Sequence, residues 1–167
     1  LGAELTAEER VFCDKVGRID ILVAGPPCQG HSNLNNHTRR DDPRNLLYLR
    51  AVRCAEILKP DTLIIENVPD VLHDKHGVLQ TADEYLKNIG YSVSYGVVRM
   101  WEVGVAQTRQ RMLLIASRVA PNVDIEKITE DAALPARTME WVIGDLLDKY
   151  DENSEFDSAA IHAPVNQ

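Results

Sequence analysis

Apolar residues recur along this chain in two rhythms, short unbroken runs and stripes spaced three or four apart, and these alternate as strands and helices do. Thr6-Ala7-Glu8-Glu9 has the spacing of a capping box, and Val11, Phe12 and Val16 follow it, which predicts a short opening helix. The run from Ile21 to Ala24 reads as a buried strand. It stops at Gly25-Pro26-Pro27, because two prolines cannot donate to a ladder, so Cys28 is expected on the loop at the strand's carboxyl end. His31 to Asn45 is a polar, turn-rich loop. From Arg44 to Lys59, residues Leu47, Ala51, Cys54, Ala55 and Leu58 share one helical face, which makes Cys54 a core residue, and Pro60 stops the helix. Thr62 to Ile65 is a second strand, ended by Glu66-Asn67-Val68-Pro69. Leu79, Ala82, Leu86 and Ile89 mark a third helix closed by Gly90, and strands follow at Tyr91 to Met100 and Arg111 to Ser117. Thr138 to Lys149 reads as an amphipathic helix with Trp141, Val142 and Leu146 buried.

Strand, helix, strand at this spacing is a βαβ unit, so the first two strands should be parallel and their loops should leave at one edge of the sheet. That edge is where open α/β sheets bind ligands, and it places Glu66 beside Cys28 although 38 residues separate them. A thiol on such a loop is a candidate nucleophile, with a buried packing role as its ordinary alternative. An acid at a strand end is likewise either a site carboxyl or a solvated turn residue.

At 167 residues and 44% apolar composition the chain suits one domain with a real core. There is no apolar run near eighteen residues and no charged-then-apolar leader, so neither membrane insertion nor secretion is expected. Cys13, Cys28 and Cys54 form an odd set without paired spacing, which points away from disulfides and zinc and toward a reducing cytoplasm. His73 and His76 lack a supporting carboxylate or cysteine at ligand spacing.

The net charge of -8 belongs wholly to the stretch from Val119 onward, where eleven acidic residues face Lys127, Arg137 and Lys149. Residues 1–118 balance at fifteen of each sign. Within them Arg39, Arg40, Arg44, Arg50 and Arg53 cluster after the cysteine loop, where phosphate contacts are expected; for Arg50 and Arg53 a solvated helix face is the alternative. Residues after Tyr150 are acidic, poor in apolar side chains and expected to be loose.

Three blocks carry a resemblance. Gly25-Pro26-Pro27-Cys28-Gln29-Gly30 with Ser32 resembles the catalytic loop of the DNA (cytosine-5) methyltransferases, Glu66-Asn67-Val68 resembles their second signature, and Gln107-Thr108-Arg109-Gln110-Arg111, preceded by Gly104, their third. Asp42-Pro43-Arg44 followed by Leu46-Leu47 resembles a further block, and residues 138–149 are similar to a segment that often follows the third signature. Local departures are His31 where the family usually has Phe, Ala106 where Pro is frequent, and Trp101-Glu102 in place of a small polar pair.

The resemblance implies the second half of a Rossmann-like, class I S-adenosylmethionine-dependent methyltransferase fold, an α/β fold with a mostly parallel sheet flanked by helices. Residues 1–118 would be a partial catalytic domain, and 119–167 an acidic extension leading toward a target-recognition region. It implies methyl transfer from S-adenosylmethionine to carbon 5 of a cytosine turned out of DNA. Cys28 would attack carbon 6 as the thiolate, favoured over the thiol, whose usual pKa is about 8.5, by Arg111. Glu66, its pKa raised by burial at the strand edge, would donate a proton to the ring. Arg111 and Arg109 would hold the cytosine carbonyl oxygen and a neighbouring phosphate. Asn67 would fix the two loops together, Gln29 would line the pocket, and Pro27, Ser32 and Gln107 would complete the substrate-binding set. Pro26 and Leu47 would border the cofactor, a plain core role being the alternative for Leu47.

The family's glycine-rich turn, which holds most of the S-adenosylmethionine site, has no counterpart here. The chain is therefore expected to be a piece of a larger enzyme that alone neither binds the cofactor tightly nor methylates DNA, and to expose the Ile21 to Ala24 edge to self-association. A bacterial cytoplasmic or nucleoid setting goes with that reading. Rival readings are a tRNA cytosine-5 methyltransferase, a non-catalytic assembly half, and a cysteine hydrolase with His31 or His37 as base, for which no oxyanion-hole pattern is visible.

Overall fold

The structure, a computed structural model, describes residues 1–27, 46–121 and 123–146. Helix α1 (Ala7–Val16) opens on the expected capping box: the Glu9 amide donates to Thr6 Oγ1 at 3.2 Å and the Thr6 amide to Glu9 Oε2 at 3.0 Å. Strand β1 (Ile21–Ala24), helix α2 (Leu47–Leu58), strand β2 (Thr62–Asn67), helix α3 (Val78–Asn88) and strands β3 (Ser92–Arg99) and β4 (Gln110–Ser117) follow. Helix α4 (Ile125–Asp131) and the short α5 (Met139–Ile143) complete the described order.

The four strands form one sheet in the order β1-β2-β4-β3. β1 and β2 are parallel, and β4 is antiparallel to both β2 and β3. Three strands therefore run one way, and β4 inserts in reverse between β2 and β3. Alternation along β2 and β4 sends Leu63, Ile65, Met112, Leu114 and Ala116 into one fully buried face under α2 and α3. Burying each larger side chain of that set stabilises the fold by about 1.5–3 kcal/mol relative to exposure.

Four expectations of the fold need correction. Strand β1 is not buried: Ile21 and Val23 are 61% and 67% exposed on the face turned away from α2 and α3. The buried stripe of α2 is Tyr48, Ala51, Val52 and Ala55, one position round from the predicted face, so Leu47 is exposed and Cys54 only half-buried. Arg53 leaves the basic cluster: it donates to Glu9 Oε1 and Oε2 at 2.9 and 2.7 Å and to the carbonyls of Ala3 and Glu4, and it pairs with Glu56. It thereby ties the amino-terminal segment and α1 to α2 and is spent on structure. Helix α5 is five residues long and runs into a 3-10 turn at Gly144–Leu146, and Trp141 is 62% exposed, with Val142 exposed beside it. An amphipathic stripe states that a face wants cover, not what covers it; here the Arg137 guanidinium lies 3.8 Å over the Trp141 ring.

Helix α4, which the apolar pattern left unmarked, packs on β3 on the second face of the sheet. Gly96 permits this approach, since a β-carbon there would stand 3.4 Å from Ile125 Cγ2. Gly104, at φ 81°, is closed over by Leu134, whose β-carbon would lie 2.8 Å from an added one. No helix among the described residues is long and apolar enough to cross a membrane.

Candidate active site

Strand direction decides what meets at the sheet's rim. Ala24 pairs with Ile65, so the carboxyl ends of β1 and β2 arrive together. Asn67 pairs with Met112, so the amino end of the reversed β4 arrives at the same rim. Pro26, Glu66, Asn67 and Arg111 thus converge from three segments that are distant in sequence.

Glu66 and Asn67 are the last residues of β2 and not part of the turn, and strand alternation sends them to opposite faces. Asn67 is buried on the helix side. Its Nδ2 donates to the Pro26 carbonyl at 3.4 Å, and its Oδ1 accepts from the Val68 amide at 2.8 Å, so it links the stub of the cysteine loop to the turn after β2. Glu66 faces the other way, where Arg111 is its diagonal neighbour across the ladder. Arg111 Nε is ion-paired with Glu66 Oε1, and Arg109 Nη2 reaches the same oxygen at 3.9 Å. Arg111 also donates to the Gln110 carbonyl at 2.7 Å. The Arg111 side chain is only 20% exposed and that of Glu66 42%, so the expected burial of Glu66 is absent. A carboxyl flanked by guanidinium groups offers an acceptor beside fixed donors, the complement of a base edge that carries an amine next to a carbonyl.

Pro27 is exposed at the end of the first described stretch. Cys28, Gln29 and Ser32 lie outside the described residues, as do His31, His37, Arg39, Arg40 and Arg44. Gln107 is exposed and lines a surface cavity of about 590 Å³ with Trp101, Thr108, Ala136, Arg137 and Met139. That cavity was not foreseen: its far wall, 136–139, reaches it through the Val103 to Leu134 bridge, a contact no local pattern announces. Pro26 and the exposed Leu47 offer rigid and apolar surfaces suited to a flat adenine face, but Ala24 and Gly25 end β1 with no acid to take a ribose hydroxyl.

The described residues form an α/β fold, a four-stranded mixed sheet with α2 and α3 on one face and α4 against β3 on the other, and the candidate site lies at its strand ends. The sequence profile of the C-5 cytosine-specific DNA methylases matches residues 5–163, and the chain belongs to that family. It is 41% identical over its full length to the type II methyltransferase M1.BsuMI of Bacillus subtilis, covering 39% of that protein. Among solved structures it superposes on a DNA modification methyltransferase encoded within an E. coli prophage with TM-score 0.64 and 27% identity, covering 88% of this chain and 41% of that one. The Dnmt2 methyltransferase of S. pombe, at 21% identity and TM-score 0.56 over 79% of this chain and 42% of its own, shares the fold. The chain spans about two fifths of the length of these relatives.

Proposed function

We propose that this chain is the catalytic-loop half of a DNA cytosine-5 methyltransferase, one that forms a covalent adduct between Cys28 and a cytosine turned out of the duplex. The observation that supports it most is the Glu66–Arg111 pair open at the strand rim beside the Pro26 stub of the cysteine loop. Cytosine carbon 5 is too weak a nucleophile until electrons enter the ring. The Cys28 thiolate bonds to carbon 6, while Glu66 hydrogen-bonds the ring nitrogen and exocyclic amine and Arg111 steadies the carbonyl oxygen. S-adenosylmethionine, when bound, supplies the methyl group that carbon 5 accepts. Loss of the carbon 5 proton to a base then expels the sulfur and restores the ring. Pro26 and Leu47 border the cofactor, Arg109 and Gln107 lie toward the DNA backbone, and Pro27, Gln29 and Ser32 wall the base. DNA is the preferred substrate over tRNA because the family whose profile the chain matches is one of DNA methylases.

The test is a graft in which this chain replaces the matched stretch of M1.BsuMI. We expect methyl transfer to DNA and not to tRNA, lost at least about a thousandfold in Cys28→Ala together with covalent trapping on 5-fluorocytosine DNA. Activity that survives Cys28→Ala, or that falls only on tRNA, would overturn the reading.

A further inference from the structure

The connection from β3 to β4 and the segment leading into α5 enclose a cavity, and both of its walls are fixed. The Met100 amide donates to the Arg109 carbonyl at 2.9 Å, so the loop closes where β4 begins. The Leu134 amide donates to the Glu102 carbonyl at 2.9 Å, Leu134 bridges to Val103, and its side chain closes over Gly104, which brings residues 136–139 against the loop. Trp101, Ala106, Ala136 and Met139 give the cavity an apolar lining, and Gln107, Thr108 and Arg137 are its polar groups. Its volume of about 590 Å³ lies within the roughly 300–1,000 Å³ of small-molecule sites. Arg137 is the one cation between residues 128 and 146, a stretch with four acids. Its guanidinium is stacked on Trp141, whose amide donates to Thr138 Oγ1 at 3.2 Å, and among the described residues no carboxylate is ion-paired with it. Stacking fixes the plane of the guanidinium and leaves its edge N–H groups to meet an anion. Thr108 in the cavity wall is the chain neighbour of Arg109, whose Nη2 reaches Glu66 Oε1 at 3.9 Å.

We propose that this cavity is a second nucleobase subsite: it takes the base of a nucleotide next to the target cytosine on the same strand, stacked on Trp101, with Arg137 on that nucleotide's phosphate. The inference rests on the DNA-methylase reading and adds to it a place for a base that undergoes no chemistry. The donor set commits the occupant. An aromatic ring among apolar walls suits the flat face of a base, and a stacked guanidinium without a carboxylate partner suits a phosphate. An apolar side chain of another protein would leave Arg137 unmatched, and a free anion would leave Trp101 and Met139 unused. Stacking tolerates any base, so the subsite holds the strand beside the cytosine and does not read its sequence. Trp101 departs from the small polar pair usual in the family, which makes the subsite a property of this chain.

Titrating the full chain with a short single-stranded DNA centred on cytosine tests this, since its bases need not leave a duplex. Trp101 and Trp141 are the chain's two tryptophans, so intrinsic fluorescence reports on the cavity directly. We expect saturable quenching, and an affinity, read by anisotropy of the labelled strand, that falls at least about tenfold when an abasic sugar replaces the base on one particular side of the cytosine. Trp101→Leu and Arg137→Gln should each cost a similar factor, while Trp101→Phe, which can still stack, recovers most of it. Arg137 is exposed, so an unchanged circular dichroism spectrum and melting temperature of Arg137→Gln would show that the loss is one of binding. Binding indifferent to abasic sugars on both sides would reduce the cavity to a phosphate contact and overturn the proposal, as would absence of quenching or full affinity in both Trp101→Leu and Arg137→Gln. Methyl transfer by the M1.BsuMI graft without quenching would remove the subsite and leave the proposed function. Quenching with the abasic dependence, in a graft that transfers no methyl group, would do the reverse.

Discussion

Arg111 is ion-paired with Glu66 across the β2–β4 ladder, although 45 positions separate the two in the chain. The pairing arises because β4 runs against β2: Glu66 is opposite Leu113, which places Arg111 diagonally beside it on the face turned away from α2 and α3. The Glu66 side chain is 42% exposed, so solvent reaches the pair.

That geometry separates function from stability. An ion pair this exposed contributes under about 1 kcal/mol, since solvent screens it. Glu66→Gln is expected to leave the melting temperature of the chain nearly unchanged and to lower methyl transfer in the M1.BsuMI graft by about 10²–10⁴. Arg111→Lys keeps the charge and loses the planar donors, and should also fall well below the unaltered graft. A large drop in melting temperature with either variant would assign the pair to the fold and not to the site.

Tyr48 gives a prediction of the opposite kind. It is fully buried at the start of α2, burial pushes its hydroxyl pKa up, and that hydroxyl finds no hydrogen-bond partner among the described residues. An unsatisfied buried polar group costs about 1–3 kcal/mol. Tyr48→Phe keeps the ring in place and is expected to raise stability by about 1 kcal/mol in urea unfolding; a clear loss would show that the hydroxyl has a partner.

The link between α1 and α2 should be acid-sensitive. Hydrogen bonding to Arg53, aided by the Thr6 amide, holds the Glu9 carboxyl down at about 2 from an ordinary 4.5. A depressed acid pKa contributes stability that is fully present above 4.5 and is lost as the pH falls toward 2. Melting followed from pH 6 to 2.5 should therefore decline more steeply for the unaltered chain than for Glu9→Gln, which starts lower and has less to lose. Parallel curves would place the acid response elsewhere.

Much of this molecule was legible in local pattern. The capping box, the strand at Ile21–Ala24, the helix ended by Pro60 and the family's signature blocks each depend on neighbours a few residues away, and a sequence displays neighbours directly. The phase of α2 was misread by one position because the predicted face included Leu47, which is exposed, while Tyr48 turns inward. Arg53 was legible only as one more positive charge, since its five acceptors come from Ala3, Glu4, Glu9 and Glu56, mostly some fifty positions away.

By itself the sequence determined where β1 to β4 and α1 to α3 lie, that β1 and β2 are parallel, and the family to which the chain belongs, because periodicity and short motifs are local properties. Tertiary structure decided that β4 enters in reverse between β2 and β3, that Glu66 pairs with Arg111, that Trp141 is uncovered, and that Ile21 and Val23 of β1 are exposed. Each of these depends on which distant surfaces come to lie side by side, and residue spacing along a chain does not encode that adjacency.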